Sequence, residues 1–253
     1  MFDILKAKES FMNYVRQFDL TNDKIHLKLV HTLEVVRTTE YLCLYENITG
    51  VERDLAYLIA LLHDIGRFEQ IKRFNSFDDR NIDHAKLGVQ VLFKEGMIRN
   101  FIDDDQYDEI IEKAIAYHSL YKIPNNLEPS LLKQVLLIRD SDKLDNFRVK
   151  NIESIQTLFS ISDADFYSQR VSQNILKDIE NHTLILKENR HNEVDMWVSY
   201  MAFVFDLNFT SSYLFIREND YIHRNMERLH FTGDLKEDML FLSLIHISEP
   251  TRQ

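Results

Sequence analysis

The single cysteine, Cys43, leaves this chain of 253 residues unable to form an internal disulfide, and nothing in its composition points to an oxidising compartment. Glycine and proline are also scarce, at five and three residues. Sandwiches and barrels need many tight turns, so this shortage argues against them and for long helices. Basic charge is in deficit. Thirty Lys and Arg against 41 Asp and Glu give a formal charge of −11, which excludes a nucleic-acid duplex as an expected partner, because phosphate backbones are met with basic surfaces. A small phosphorylated molecule is still compatible, since it needs only a local cluster of Arg or Lys. No apolar run approaches membrane-spanning length, and the stretch from Met1 to Glu9 carries charges where a signal peptide would have its apolar segment. The expectation is a soluble cytoplasmic protein without membrane contact. What the chain does have is core-forming material: 45% hydrophobic residues, including 17 Phe and 11 Tyr. That is enough for one substantial core.

Along the chain the hydrophobic pattern is helical. Residues 2–18 read as an amphipathic helix with Leu5, Phe11, Tyr14, Val15 and Phe18 on one side. Thr21, Asn22 and Asp23 form an N-cap cluster for a long helix to about Asn47. On it Leu27, His31, Val35, Thr38 and Leu42 share a stripe, which turns His31 inward. Residues 73–80 lack periodicity and read as a loop. Asp83 then caps a helix through Glu95 that carries His84 in its first turn, with Gly96 closing it. A helix over about 107–119 places Ile111, Ala114, Ile115 and His118 on one face, and Leu131, Val135, Ile138 and Asp142 line up on another. Asp103, Asp104 and Asp105 read as a solvated turn. Further on, His182, His191, His223 and His230 have no common spacing and read as surface residues. The segment from Val194 to Phe209 is dense in aromatics and packs against the core or forms a seam in a homodimer.

The stretch Leu58 to Arg67 carries the chemistry. An apolar run with Ala56, Ile59, Ala60 and His63 at helical spacing ends on His63, Asp64 and Gly66. Burying His63 and Asp64 together is expensive unless something satisfies both, and a bound cation is one of the few groups that can. The plainer alternative is a core histidine with protein partners beside a helix-terminal aspartate. One inward polar residue decides nothing. Six of them, His31, His63, Asp64, His84, His118 and Asp142, spread over five helical elements, are harder to dismiss as core residues.

In this order, with the stretches from Asp83 to Gly88 and from Arg139 to Asp145, the chain resembles the HD-domain superfamily of metal-dependent phosphohydrolases over roughly residues 20–150. The resemblance implies an all-α helical bundle with a metal site between core helices. It makes His31, His63, Asp64 and Asp142 ligands of a first divalent ion, and His84 and His118 ligands of a second bridged by Asp64. Many members lack the two extra histidines and bind one ion; both are present here, so two ions are favoured. Some dinuclear relatives have a His-His pair where this chain has Tyr117, His118 and Ser119, a departure at the second ion. Imidazole mixed with carboxylate suits Mn, Fe, Co, Ni or Zn, whereas Mg prefers oxygen ligands. A metal-activated water then needs no protein nucleophile. Arg67, Lys86, Arg139 and Lys143 are the candidate phosphate-binding cations, each with an alternative as a solubilising surface charge. Arg67 leads, because in the family a basic residue often follows His-Asp-x-Gly and faces substrate; with Asp64 it is the expected catalytic pair.

The function implied is hydrolysis of a small phosphorylated substrate such as a nucleotide. Myo-inositol oxygenase and related enzymes hold two irons with a similar six-residue set, so a di-iron oxygenase is the alternative. A metal-stabilised sensor without catalysis is a third, weaker one. One all-α domain is expected over residues 1–241, with the metal-binding core at about 20–150 and further helices at 151–241. Residues 242–253 back-translate to what looks like a library-adaptor sequence and are expected to be a non-native tail.

Overall fold

The computed structural model describes residues 3–76, 79 and 82–229. The expected tail at 242–253 and His230 lie outside the described residues. Among these residues every regular element is a helix, as the scarcity of Gly and Pro implies. The chain divides into two compact units, Met1–Asp142 and Lys143–Gln253.

In the first unit, α1 (Ile4–Val15) is capped by Asp3, whose side chain accepts from the Lys6 amide. Next comes α2 (Asp23–Tyr45), where Asn22 accepts from the amides of Lys24 and Ile25, the N-cap that the sequence announces. Then α3 (Gly50–Leu62) is followed almost without a break by α4 (Ile65–Phe74). Every residue of α3 from Leu55 to Leu62 is buried. It is therefore a central helix with neighbours all round, not an amphipathic one with a single buried stripe. It packs against α2 on one side, α1 on another and α6 (Asp108–Tyr117) on a third. Phe68, Phe11, Tyr14 and Phe18 interlock edge-on or tilted at 5.1–6.2 Å between centroids and fasten α1 and the residues just after it to α4. Beneath them the buried Glu69 accepts from the Tyr14 hydroxyl at 2.8 Å and from Arg73 at 2.6 Å.

The helix expected to run from Asp83 to Glu95 starts as α5 (His84–Val89) and continues as a π-helical turn over Gln90–Lys94. Asp83 accepts from the amides of Ala85 and Lys86, and Gly96 follows at φ 80°. Leu87, Val91 and Leu92 are buried along it, as their helical spacing implies. The first half of α7 (Pro129–Ile152) brings Leu131, Val135 and Ile138 into this core, and Thr39 on α2 donates to Ser141 at 2.8 Å.

The second unit holds the rest of α7 with α8 (Ile155–Phe159), α9 (Asp163–Ser168), α10 (Gln173–Glu180), α11 (Glu193–Met201), α12 (Thr210–Glu218) and α13 (Tyr221–Arg228). Its core is built on Trp197, with Phe166 and Phe159 at 5.6 and 6.2 Å. The aromatic segment thus fills its own unit, with Trp197, Val198, Met201 and Val204 buried. The buried Asp195 accepts from the Ser172 amide and hydroxyl and from the His191 amide at 2.7–3.0 Å, so a carboxylate stitches three segments together. No helix among the described residues is long and apolar enough to cross a membrane.

Candidate metal centre

Six side chains from five separate stretches of sequence meet inside the first unit. His31 sits in mid-α2, and His63 closes α3. Asp64 is the residue between α3 and α4, His84 opens α5, His118 closes α6, and Asp142 lies on α7. Four of the six stand at a helix end. There the backbone has unused polar groups and the side chain can leave the helix axis without breaking a ladder.

The distances put the donor atoms around a common point. Asp64 Oδ2 lies 3.5 Å from His31 Nε2 and 3.7 Å from His63 Nε2, while Asp64 Oδ1 lies 3.4 Å from His84 Nε2. Asp142 Oδ1 is 3.1 Å from His31 Nε2 and 4.0 Å from His63 Nε2. His84 Nε2 and His118 Nε2 are 3.1 Å apart. Two overlapping sets could each hold an ion: His31, His63 and Asp142, and His63, Asp64 and His118.

Protonation can be read from the outer partners. His63 Nδ1 donates to the Ala60 carbonyl at 2.7 Å, and His118 Nδ1 donates to the Ile115 carbonyl at 2.7 Å. A carbonyl only accepts, so both rings carry their proton on Nδ1 and turn an Nε2 lone pair into the cluster. Asp79 plays the same part for His84, whose Nδ1 lies 2.9 Å from its Oδ1. The result is a set of lone pairs aimed at each other and at carboxylate oxygens. The buried His63 Nε2 has no hydrogen-bond partner among the described residues. A divalent cation is what such a donor set fits, and each imidazole is already oriented by an outer acceptor as ligands usually are.

The electrostatics agree. Burial, then the Arg67 charge, pulls His84 down to about 4; burial, then His63, does the same for His118. Burial also lowers His63. Burial alone would raise Asp64, but Lys28, whose Nζ is 2.7 Å from Oδ2, and the surrounding imidazoles outweigh it and hold the carboxyl well below the usual range. Asp142 is likewise held down against burial by its hydrogen bond with His31. At neutral pH His63, His84 and His118 are neutral and Asp64 and Asp142 are charged, the ligand forms.

A pH dependence follows for protein treated with chelator. Between pH 6.5 and about 4 the unfolded chain binds protons at His84 and His118 that the folded chain refuses. Stability should therefore fall as pH drops through that window, by about 1.4 kcal/mol per pH unit for each histidine. Below the ordinary carboxylate pKa, protonation of Asp64 and Asp142 removes a further contribution that is present only above it. Denaturant unfolding in chelator from pH 7 to 4 checks this, and a flat profile across the window would contradict it.

The four expected phosphate-binding cations are placed differently. Arg67 comes to the centre, with Nε 3.9 Å from Asp64 Oδ1 and both terminal nitrogens on Asp79 at 2.8 Å. Arg139 donates to the carbonyls of Tyr117, His118 and Leu120 at 3.3, 3.2 and 2.5 Å. Its guanidinium thus closes the end of α6 that bears His118. Lys86 is solvent-exposed, 4.0 Å from Asp83, and Lys143 donates to the Asp206 carboxylate at 2.5 Å. Two residues of the centre were not among those expected. Lys28 lies one turn before His31 on the same face, a spacing signal that was available in the sequence. Asp79 lies in an aperiodic stretch that offers no signal.

Comparison with curated proteins and with solved structures finds no match. A family model does match: the HD domain, over residues 29–146. The match begins just before His31 and ends just after Asp142, so all six side chains fall within it. HD domains bind divalent metals and are mostly metal-dependent hydrolases. By that match and by the helical cluster inside it, residues 29–146 of this chain form an HD domain.

Proposed function

We propose that this centre hydrolyses a phosphoric ester or anhydride of a small molecule, with nucleotides the first class to test. His31, His63, Asp64 and Asp142 are assigned to a first ion, and His84 and His118, with Asp64 shared, to a second. A bound divalent ion would lower the pKa of a water and polarise a phosphoryl oxygen. The observation that carries the reading is the orphaned His63 Nε2, buried and aimed at two carboxylates, with the Arg67 guanidinium beside the same Asp64.

The chain's own residues supply orientation and charge. The carbonyls of Ala60 and Ile115 fix the rings of His63 and His118, and Asp79 fixes both His84 and Arg67. A guanidinium clamped in this way offers a rigid face to phosphoryl oxygens and loses little freedom when they arrive. A neutral polyol has no use for that charge, which favours phosphate ester chemistry over the oxygenase alternative. A nucleotidase and phosphatase screen of protein loaded with manganese, cobalt or iron tests the assignment. Phosphate release without oxygen uptake, surviving exchange of iron for manganese or cobalt, is expected. Substrate-dependent oxygen uptake by the iron form alone, with no phosphate released under any metal, would overturn it.

A further inference from the structure

The centre has an open edge, identified by which of its side chains retain solvent contact. The side chains of His63, His31, Asp64 and His84 are 0, 3, 3 and 6% exposed, whereas those of Arg67, Lys28, Asp79 and Asp142 are 15, 20, 21 and 21% exposed. That edge therefore carries two cations, and they straddle one carboxylate. Lys28 Nζ is 2.7 Å from Asp64 Oδ2, and Arg67 Nε is 3.9 Å from Asp64 Oδ1. They come from different helices, α2 and α4, which pack against each other. Their chemistry differs too. Arg67 is fixed by two bonds to Asp79, while the Lys28 ammonium is a point charge on a flexible four-carbon stem and can turn from Asp64 to an arriving oxygen.

We propose that Lys28 is a substrate-binding residue that grips, together with Arg67, a terminal phosphoryl group, so that the substrates are phosphate monoesters or terminal phosphates and not diesters. Two cations at the rim match a dianion, and a singly charged diester would leave one of them unused. This rests on the hydrolase reading above and adds the substrate class to it. Asp64 and Asp79 contact these two cations, Asp142 contacts His31, and addition of one divalent ion is enough to make the sum of these five charges positive.

The test is inorganic phosphate binding to metal-loaded protein, followed by calorimetry, with metal content measured in parallel. Lys28→Met is expected to weaken phosphate binding about tenfold or more, the range for one charged hydrogen bond, with parental metal content. Lys28→Arg should recover part of the loss. In turnover, KM for 4-nitrophenyl phosphate should rise in Lys28→Met, while the bis(4-nitrophenyl) diester is processed equally poorly by both proteins. A readout on the unmodified chain does not depend on how the variant folds: phosphate should protect Lys28 from amine acylation, located by peptide mass. Unchanged phosphate affinity in Lys28→Met, or acylation indifferent to phosphate, overturns the proposal. Loss of metal in Lys28→Met also overturns it, by assigning the ammonium to holding Asp64. Phosphate binding through Lys28 in a protein that hydrolyses nothing would uphold the contact and sink the hydrolase reading. Monoester hydrolysis unaffected by Lys28→Met would do the reverse.

Discussion

Asp64→Asn is expected to strip the centre of metal and to take hydrolysis to background. This one carboxylate has Lys28 at 2.7 Å, the Nε2 atoms of His31, His63 and His84 within 3.4–3.7 Å, and Arg67 at 3.9 Å. An amide keeps the shape but not the charge, and its NH2 group cannot coordinate. Lys28 and Arg67 would then face a neutral group. Removing one partner from a buried charge pair typically costs about 3–5 kcal/mol, and the low end applies here because the Lys28 side chain is partly in water. Elemental analysis and thermal melting, with and without chelator, measure both effects. The melting difference between parent and variant should be largest in metal-containing buffer, where the parent gains about 2.7 kcal/mol at a hundredfold excess over Kd. His84→Ala and His118→Ala should be milder, lowering bound metal from about two equivalents toward one, because the four residues proposed for the first ion remain. Asp142→Ala, which removes one of those four, should abolish tight binding. If Asp64→Asn carries as much metal as the parent, Asp64 is not a ligand.

Gly66→Ala should be as damaging as the loss of a ligand, although Gly66 holds nothing. A Cβ at this position would stand 2.0 Å from the His84 carbonyl oxygen and 2.7 Å from the Gly88 amide nitrogen. Both are backbone atoms, so no rotamer change relieves the overlap and α4 must separate from α5. His84 is the first residue of α5 and moves with it. Overpacking of this kind costs about 1–3 kcal/mol or more, and here it also pulls one imidazole off the cluster. Melting should drop by several degrees, and metal titration should show the second ion weakened before the first. Gly88→Ala is the control: its Cβ would meet the Gly66 amide nitrogen at 3.4 Å and the Ile65 side chain at 3.5 Å, close to ordinary contact distances. Equal stability of the two variants would remove the close approach at Gly66 from the account.

The all-helical class was readable from composition and periodicity, because a helix is a local structure and its signals lie within a few residues of each other. The caps at Asn22 and Asp83 show this directly: short polar side chains ahead of apolar runs, each bonded to amides two and three residues on. The inward direction of His31, His63, His84, His118 and Asp142 was also readable, since position on a helix face follows from spacing alone. Buried polar residues at the ends of apolar stripes then raise the question of what satisfies them.

What answers it is non-local. That His84 Nε2 lies 3.1 Å from His118 Nε2, and that Asp64 touches the surroundings of three histidines, depends on how five elements cross. Asp79 shows the limit most plainly, for nothing in an aperiodic stretch says that its carboxylate will hold both Arg67 and His84. Arg139 shows the same limit from the other side. From sequence it is a cation near a ligand; in the fold it lies under the end of α6 and donates to three carbonyls. Sequence alone thus determined which elements form, which side chains turn inward and which domain family they mark. The tertiary structure decided which of these side chains face one another, which cation reaches Asp64, and why residue 66 must lack a Cβ. The division has a physical cause: facing direction is set by the backbone period of one helix, whereas contact between polar groups is set by the crossing of several.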